Sequence, residues 1–130
     1  MDAAGWRALG TRLDRVGAPL RAAGLGFGWH SYDFEFRPTA DGTLPITALF
    51  AGGPVLEWGM DLAWIVRGGT DPGAWIAKEG RRVTAAQIKD IAPAGQNGDE
   101  DGWADVGHGT VDWPMLMPAR RGRGALRFGT

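Results

Sequence analysis

Gly28-Trp29-His30-Ser31-Tyr32-Asp33-Phe34-Glu35-Phe36 is the stretch on which the reading of this chain turns. A run of small and apolar residues reaches a histidine and then breaks into polar positions. Met60-Asp61-Leu62 and Ile88-Lys89-Asp90 repeat that arrangement further along. Parallel strands of an α/β architecture present chemistry at their C-terminal ends in this way. Leu25 to His30 predicts a strand, with Leu25, Phe27 and Trp29 on one face and Gly26, Gly28 and His30 on the other. Val55 to Leu62 predicts the second: Leu56, Trp58, Met60 and Leu62 alternate with Val55, Glu57, Gly59 and Asp61. Asp61 thus occupies a place equivalent to His30, on the inner face at the strand's end. Val83 to Asp90 predicts the third, with Val83, Ala85, Gln87 and Lys89 sharing a face.

Helical patterns separate these strands. Asp2 can cap a helix whose apolar stripe is Trp6, Leu9, Leu13, Val16 and Leu20, bent at Pro19 and stopped at Gly24. Leu44 to Phe50 fits a short helix with Pro45 in its first turn. Asp71-Pro72 opens another, and Asp112 can cap a last one near Trp113. The stretch 92–110 reads as a long loop rich in glycine and acids. Helix alternating with strand is the pattern of parallel βαβ units.

The 130 residues suffice for one ordinary domain, whereas a complete eight-fold α/β barrel takes about 250. The expected fold is therefore α/β, a partial barrel of about three parallel strands with flanking helices, over residues 1–118. Residues 119–130 carry Arg120, Arg121, Arg123 and Arg127 among glycines and read as a basic tail. The expectation is a gene fragment, with a change of reading frame near Ala119 as one origin of the tail. Three strands alone leave open edges and an apolar face, so self-association into a homodimer or higher oligomer is expected.

A net charge of −1 argues against capture of nucleic acid or of a membrane surface. With no cysteine there is neither a disulfide framework nor a thiolate nucleophile. No apolar run has the length of a membrane span, and the N-terminus lacks a signal segment. A cytoplasmic location is the default expectation. Gly24-Leu25-Gly26-Phe27-Gly28 lies in a strand, not in a strand-to-helix turn, so it does not read as a phosphate cradle. Seven tryptophans imply large buried surfaces or an interface.

From about Trp6 to Trp113 the ordered motifs resemble the sugar phosphate isomerase/epimerase family of xylose-isomerase-like barrels. The motifs are residues 28–36, Met60-Asp61-Leu62-Ala63-Trp64, Gly69-Thr70-Asp71-Pro72, Ile88-Lys89-Asp90 and Val106-Gly107-His108-Gly109-Thr110-Val111-Asp112-Trp113. The resemblance implies a divalent ion (manganese, magnesium, zinc or cobalt) at the barrel mouth and acid–base groups that move a proton beside a sugar carbonyl or hydroxyl. Asp61 matches a metal-ligand position and His30 a strand-end histidine. Gln87 stands where a ligand histidine is usual, and Tyr32 where a second histidine is usual. The implied metal set is Asp61, His30 and Gln87.

The acid–base candidates are His30, Lys89 and Glu35. Lys89 can pair with Asp61 or with a substrate oxygen. Glu35 and Asp33 lie past the strand end, solvated but within reach of a metal. Asp90 is expected to fix its loop, His108 to be exposed, and Asp99-Glu100-Asp101 to form a solvated acidic turn. The function expected is proton transfer on a sugar-like substrate by a truncated isomerase/epimerase. Two other readings stand beside it: a metal-dependent hydrolase of phosphoesters or other esters at a composite dimer site, and a non-catalytic, self-assembling barrel fragment.

Overall fold

The computed structural model describes residues 1–116 and the backbone of 127–129. The basic tail therefore lies mostly outside the described residues. Chain order is α1 (Ala3–Ala22), β1 (Gly28–His30), α2 (Pro45–Gly52), β2 (Glu57–Asp61), α3 (Leu62–Arg67), α4 (Pro72–Glu79), β3 (Val83–Gln87), β4 (Asp90–Ile91), β5 (Trp103–Ala104), α5 (Trp113–Leu116) and β6 (Arg127–Gly129). The expected α/β sheet is present. Strands β1, β2 and β3 lie side by side and parallel, and β6 adds a fourth parallel strand beside β3. Residues 127–129 are thus part of the sheet.

The β2 strand forms the middle of the core. Leu56, Trp58, Met60 and Leu62 are all buried, on the face the alternation assigns to the helices. They pack with Phe36, Ile46, Leu49, Phe50, Ile65 and Trp75. Fully burying one such side chain contributes roughly 1.5–3 kcal/mol.

Helix α1 begins where expected, with Asp2 accepting a hydrogen bond from Gly5 N at 2.8 Å. It runs through Pro19 to Ala22 without interruption. Its buried face differs from the expected stripe: Trp6, Gly10 and Gly17 are buried, and Val16 is exposed. The reason is backbone contact with α2. A Cβ on Gly10 would run into the Leu49 carbonyl, and one on Gly52 into the Arg7 carbonyl. A hydropathy stripe cannot register a contact surface made of glycine. Thr11 Oγ1 adds a hydrogen bond to Gly52 O at 3.1 Å.

Each expected strand is shorter than its pattern. Leu25 and Val55 are exposed and precede their strands. Leu62 begins α3 because Asp61 caps that helix and ends β2. Asp71 caps α4 as expected, accepting from Gly73 N and Ala74 N at 3.0 Å each. The loop expected over 92–110 is not wholly irregular, since β5 returns to pair antiparallel with β4. Arg82 closes the opposite end of the sheet. Its guanidinium donates to the carbonyls of Phe50, Gly53, Pro54 and Leu56 at 2.9–3.3 Å. Among the described residues, no helix is long and apolar enough to cross a membrane.

Candidate functional site

His30, Asp61 and Gln87 meet at the C-terminal ends of β1, β2 and β3. The sheet register brings this about. Asp61 pairs with Gln87, while His30 lies level with Gly59. The register slips by one residue between Trp58 and Gly59. Without that slip Asp61 would stand opposite Ala86. Gly59 puts no side chain between β1 and β3, and His30 Nε2 reaches Gln87 Oε1 at 2.8 Å.

Asp61 is completely buried, and its two oxygens do different work. Oδ1 caps α3, accepting from Ala63 N at 3.1 Å and Trp64 N at 3.3 Å. Oδ2 lies 3.1 Å from Lys89 Nζ and 3.8 Å from His30 Nε2. Among the described residues no hydrogen bond reaches this oxygen. Its compensation is the charge of Lys89, which matters because a buried carboxylate without a partner is strongly disfavoured.

Aromatic side chains wall the cluster. Lys89 Nζ lies 4.7 Å from the Trp103 ring centre and 5.4 Å from that of Trp64. The two indoles meet edge to face at 4.7 Å. The Arg67 guanidinium stacks on Trp103 at 3.3 Å. Tyr32 lies 5.2 Å from His30 and 5.3 Å from Trp64, and is itself exposed. Four other indoles are anchored: Trp29 to Glu35, Trp58 to Ser31, Trp75 to Thr70 and Trp113 to Asp90. Among the described residues, the indole N–H groups of Trp6, Trp64 and Trp103 have no such anchor, and of these Trp64 and Trp103 line the mouth.

The sequence assigns its tryptophans to large buried surfaces or an interface and does not single out this wall. The signal for Trp64 is its spacing: it stands three residues after Asp61, in the first turn of the helix that Asp61 caps. Trp103 gives no local signal, because only the β4–β5 pairing brings it back.

Glu35 is not solvated as expected. It is completely buried, accepting from Trp29 Nε1 and Tyr32 N, each at 2.9 Å. Burial pushes its carboxyl above the ordinary range, against the pull of those two hydrogen bonds. Both oxygens are engaged in holding the turn after β1, and the charge of His30, a member of the cluster, acts on Glu35. Asp33 pairs with Arg37. His108 is exposed. Asp90 fixes its loop, receiving hydrogen bonds from Ile91 N, Gly107 N, Val111 N and Trp113 Nε1 at 2.9–3.0 Å. Burial would raise the Asp90 carboxyl, but these four donors outweigh it and bring it down to about 2.

A divalent ion at this mouth would draw on Asp61 Oδ2, His30 Nε2 and Gln87 Oε1. Only the first is an anion, and Lys89 already neutralises it. The other two are bonded to each other. Among the described residues, no three His, Asp or Glu side chains converge. With Lys89 in this position the residues fit an ammonium and do not fit a divalent ion.

A cavity of about 470 Å³ lies at the other end of the strands, beside Pro54, Glu57, Arg81 and Thr84. None of the expected site residues lines it.

No protein-family profile and no curated protein matches the chain. Solved structures do. One crystal structure of a sugar phosphate isomerase/epimerase from Parabacteroides distasonis is 20% identical, with a TM-score of 0.75, over 98% of this chain and 44% of that one. Another from the same organism is 24% identical, with a TM-score of 0.63, over 75% of this chain and 39% of that one. At these identities the likeness establishes the fold, and the chain spans about two-fifths of the length of either structure. The protein therefore has the fold of part of a sugar phosphate isomerase/epimerase.

Proposed function

We propose that the strand-end cluster binds a sugar-like polyol and moves a proton beside its carbonyl, as an isomerase or epimerase does. The observation that carries this reading is the meeting of Asp61, Lys89, His30 and Gln87 with Tyr32, Trp64 and Trp103 at one mouth. Sugars offer C–H faces that pack on aromatic rings, and hydroxyls that need charged or amide partners. Lys89 supplies a cation for the oxygen that becomes negative when a proton leaves the adjacent carbon. In the tautomer that donates Nε2–H to Gln87 Oε1, His30 keeps a basic Nδ1 for that proton.

The test is solvent deuterium exchange into a panel of pentoses, hexoses and their phosphates, followed by NMR. Wild-type protein exchanges the C–H beside the carbonyl of at least one sugar. Lys89→Met and His30→Ala each lower the rate about a hundredfold or more. Absence of exchange across the panel, or exchange that both variants retain, contradicts the reading.

Self-association belongs to the same proposal. Among the described residues strand β1 is an edge of the sheet, and a sheet edge invites a second copy. Light scattering at micromolar concentration is expected to give a dimer or larger species; a monomer would refute it.

A further inference from the structure

Asp61 Oδ2 is a buried anionic oxygen aimed at the site, and the cation beside it is the chain's own Lys89, 3.1 Å away. Lys89 is held from two sides. The faces of Trp64 and Trp103 cover its ammonium. Its backbone leads directly into Asp90, which four hydrogen bonds fix in place. His30 Nε2 and Gln87 Oε1, the two atoms that would otherwise face an ion beside Asp61, are bonded to each other at 2.8 Å.

We infer that Lys89 is a built-in cation standing where a divalent ion would bind, so that this site polarises ligand oxygens without a metal. A dication entering the cluster would meet an ammonium at contact distance, one already neutralised carboxylate and a neutral amide. Like-charge repulsion and the shortage of anionic donors both act against it. Gln87 contributes in two ways. It is a weak ligand, and it occupies the imidazole nitrogen that would otherwise face the ion. The role of the site in sugar chemistry rests on the reading above, but the exclusion of metal does not.

The test is equilibrium dialysis of the full chain against manganese and zinc, with tryptophan fluorescence as a second readout at Trp64 and Trp103. Wild-type protein is expected to hold no stoichiometric ion at micromolar metal. Lys89→Met, with or without Gln87→His, is expected to bind at least about tenfold more tightly than wild type. Lys89→Arg keeps the charge and is expected to remain without metal.

The inference is overturned if wild-type protein takes up one ion per chain at micromolar concentration and Asp61→Asn abolishes that uptake. It is overturned equally if the Lys89→Met and double variants, folded by circular dichroism, bind no better than wild type. Should Lys89→Met not fold, the wild-type and Lys89→Arg measurements still decide. Failure of the sugar panel would remove the proposed reaction and leave this inference standing, so the two can fail separately.

Discussion

Asp61 and Asp90 are both completely buried carboxylates at the strand ends, yet their surroundings differ. Asp90 receives four hydrogen bonds, from three backbone N–H groups and the Trp113 indole, shared between both oxygens. Asp61 has one oxygen in a helix cap and the other facing a lysine with no hydrogen bond among the described residues. The first pattern is that of a structural anchor whose bonding capacity is used internally. The second commits an anionic oxygen to a lysine at an aromatic-walled mouth. Burial alone does not separate the two roles; the bonding of each oxygen does.

Removing each carboxylate tests the contrast most strongly. Asp90→Ala leaves four donors without an acceptor and is expected to cost about 4 kcal/mol, taking each lost partner near the low end of ~1–3 kcal/mol. Urea unfolding measures it, and a cost below about 1 kcal/mol would contradict the anchor role.

Acid gives the next largest effect. The folded-state value for Asp90 is about 2, against 3.8 ordinarily. Its stabilisation is therefore complete above the ordinary value and is lost as pH falls toward 2. The loss is about 2.5 kcal/mol, because each tenfold change in proton affinity on folding is worth ~1.4 kcal/mol. Glu35 has the opposite slope. Its folded-state value is raised above 4.5 by burial, so stability falls as pH climbs from 4.5 through that raised value. Glu35→Gln is expected to flatten the decline above pH 4.5 and leave the acid limb intact. Denaturant melts across pH report both limbs, and an unchanged decline in Glu35→Gln would refute the assignment.

Asp61→Asn is expected to have the smallest effect on stability, under about 1 kcal/mol, since asparagine caps a helix as well as aspartate and Lys89 is one-third exposed. The same substitution is expected to abolish ligand binding. A large loss of stability with binding intact would reverse the contrast.

Much of this fold is legible along the chain because it is built from local signals. Alternation in β2 assigns Trp58 and Met60 to the core and Asp61 to the other face. Asp2, Asp71 and Asp112 announce helices that do begin beside them. What stays hidden is set by contacts between distant segments. The glycine faces of α1 and α2 have no hydropathy. The register slip in β2–β3 is invisible to a period-two pattern, yet it decides that Gln87 faces Asp61. Glu35 sits in a polar stretch, and the donors that turn it inward, Trp29 Nε1 and Tyr32 N, come together only in the folded turn. The site was half readable in the same way. His30, Asp61 and Lys89 follow from strand ends and Gln87 from the family resemblance, whereas Trp103 reaches them only through the β4–β5 pair.

The most direct measurement is a titration of 15N-labelled protein with the sugar panel, following the seven indole N–H signals. If the Asp61 cluster is the ligand site, the signals of Trp64 and Trp103 move with saturation. The anchored signals of Trp58, Trp75 and Trp113 stay still, and Asp61→Asn removes the response. Seven unmoved signals at millimolar sugar, or movement confined to the anchored indoles, would contradict it.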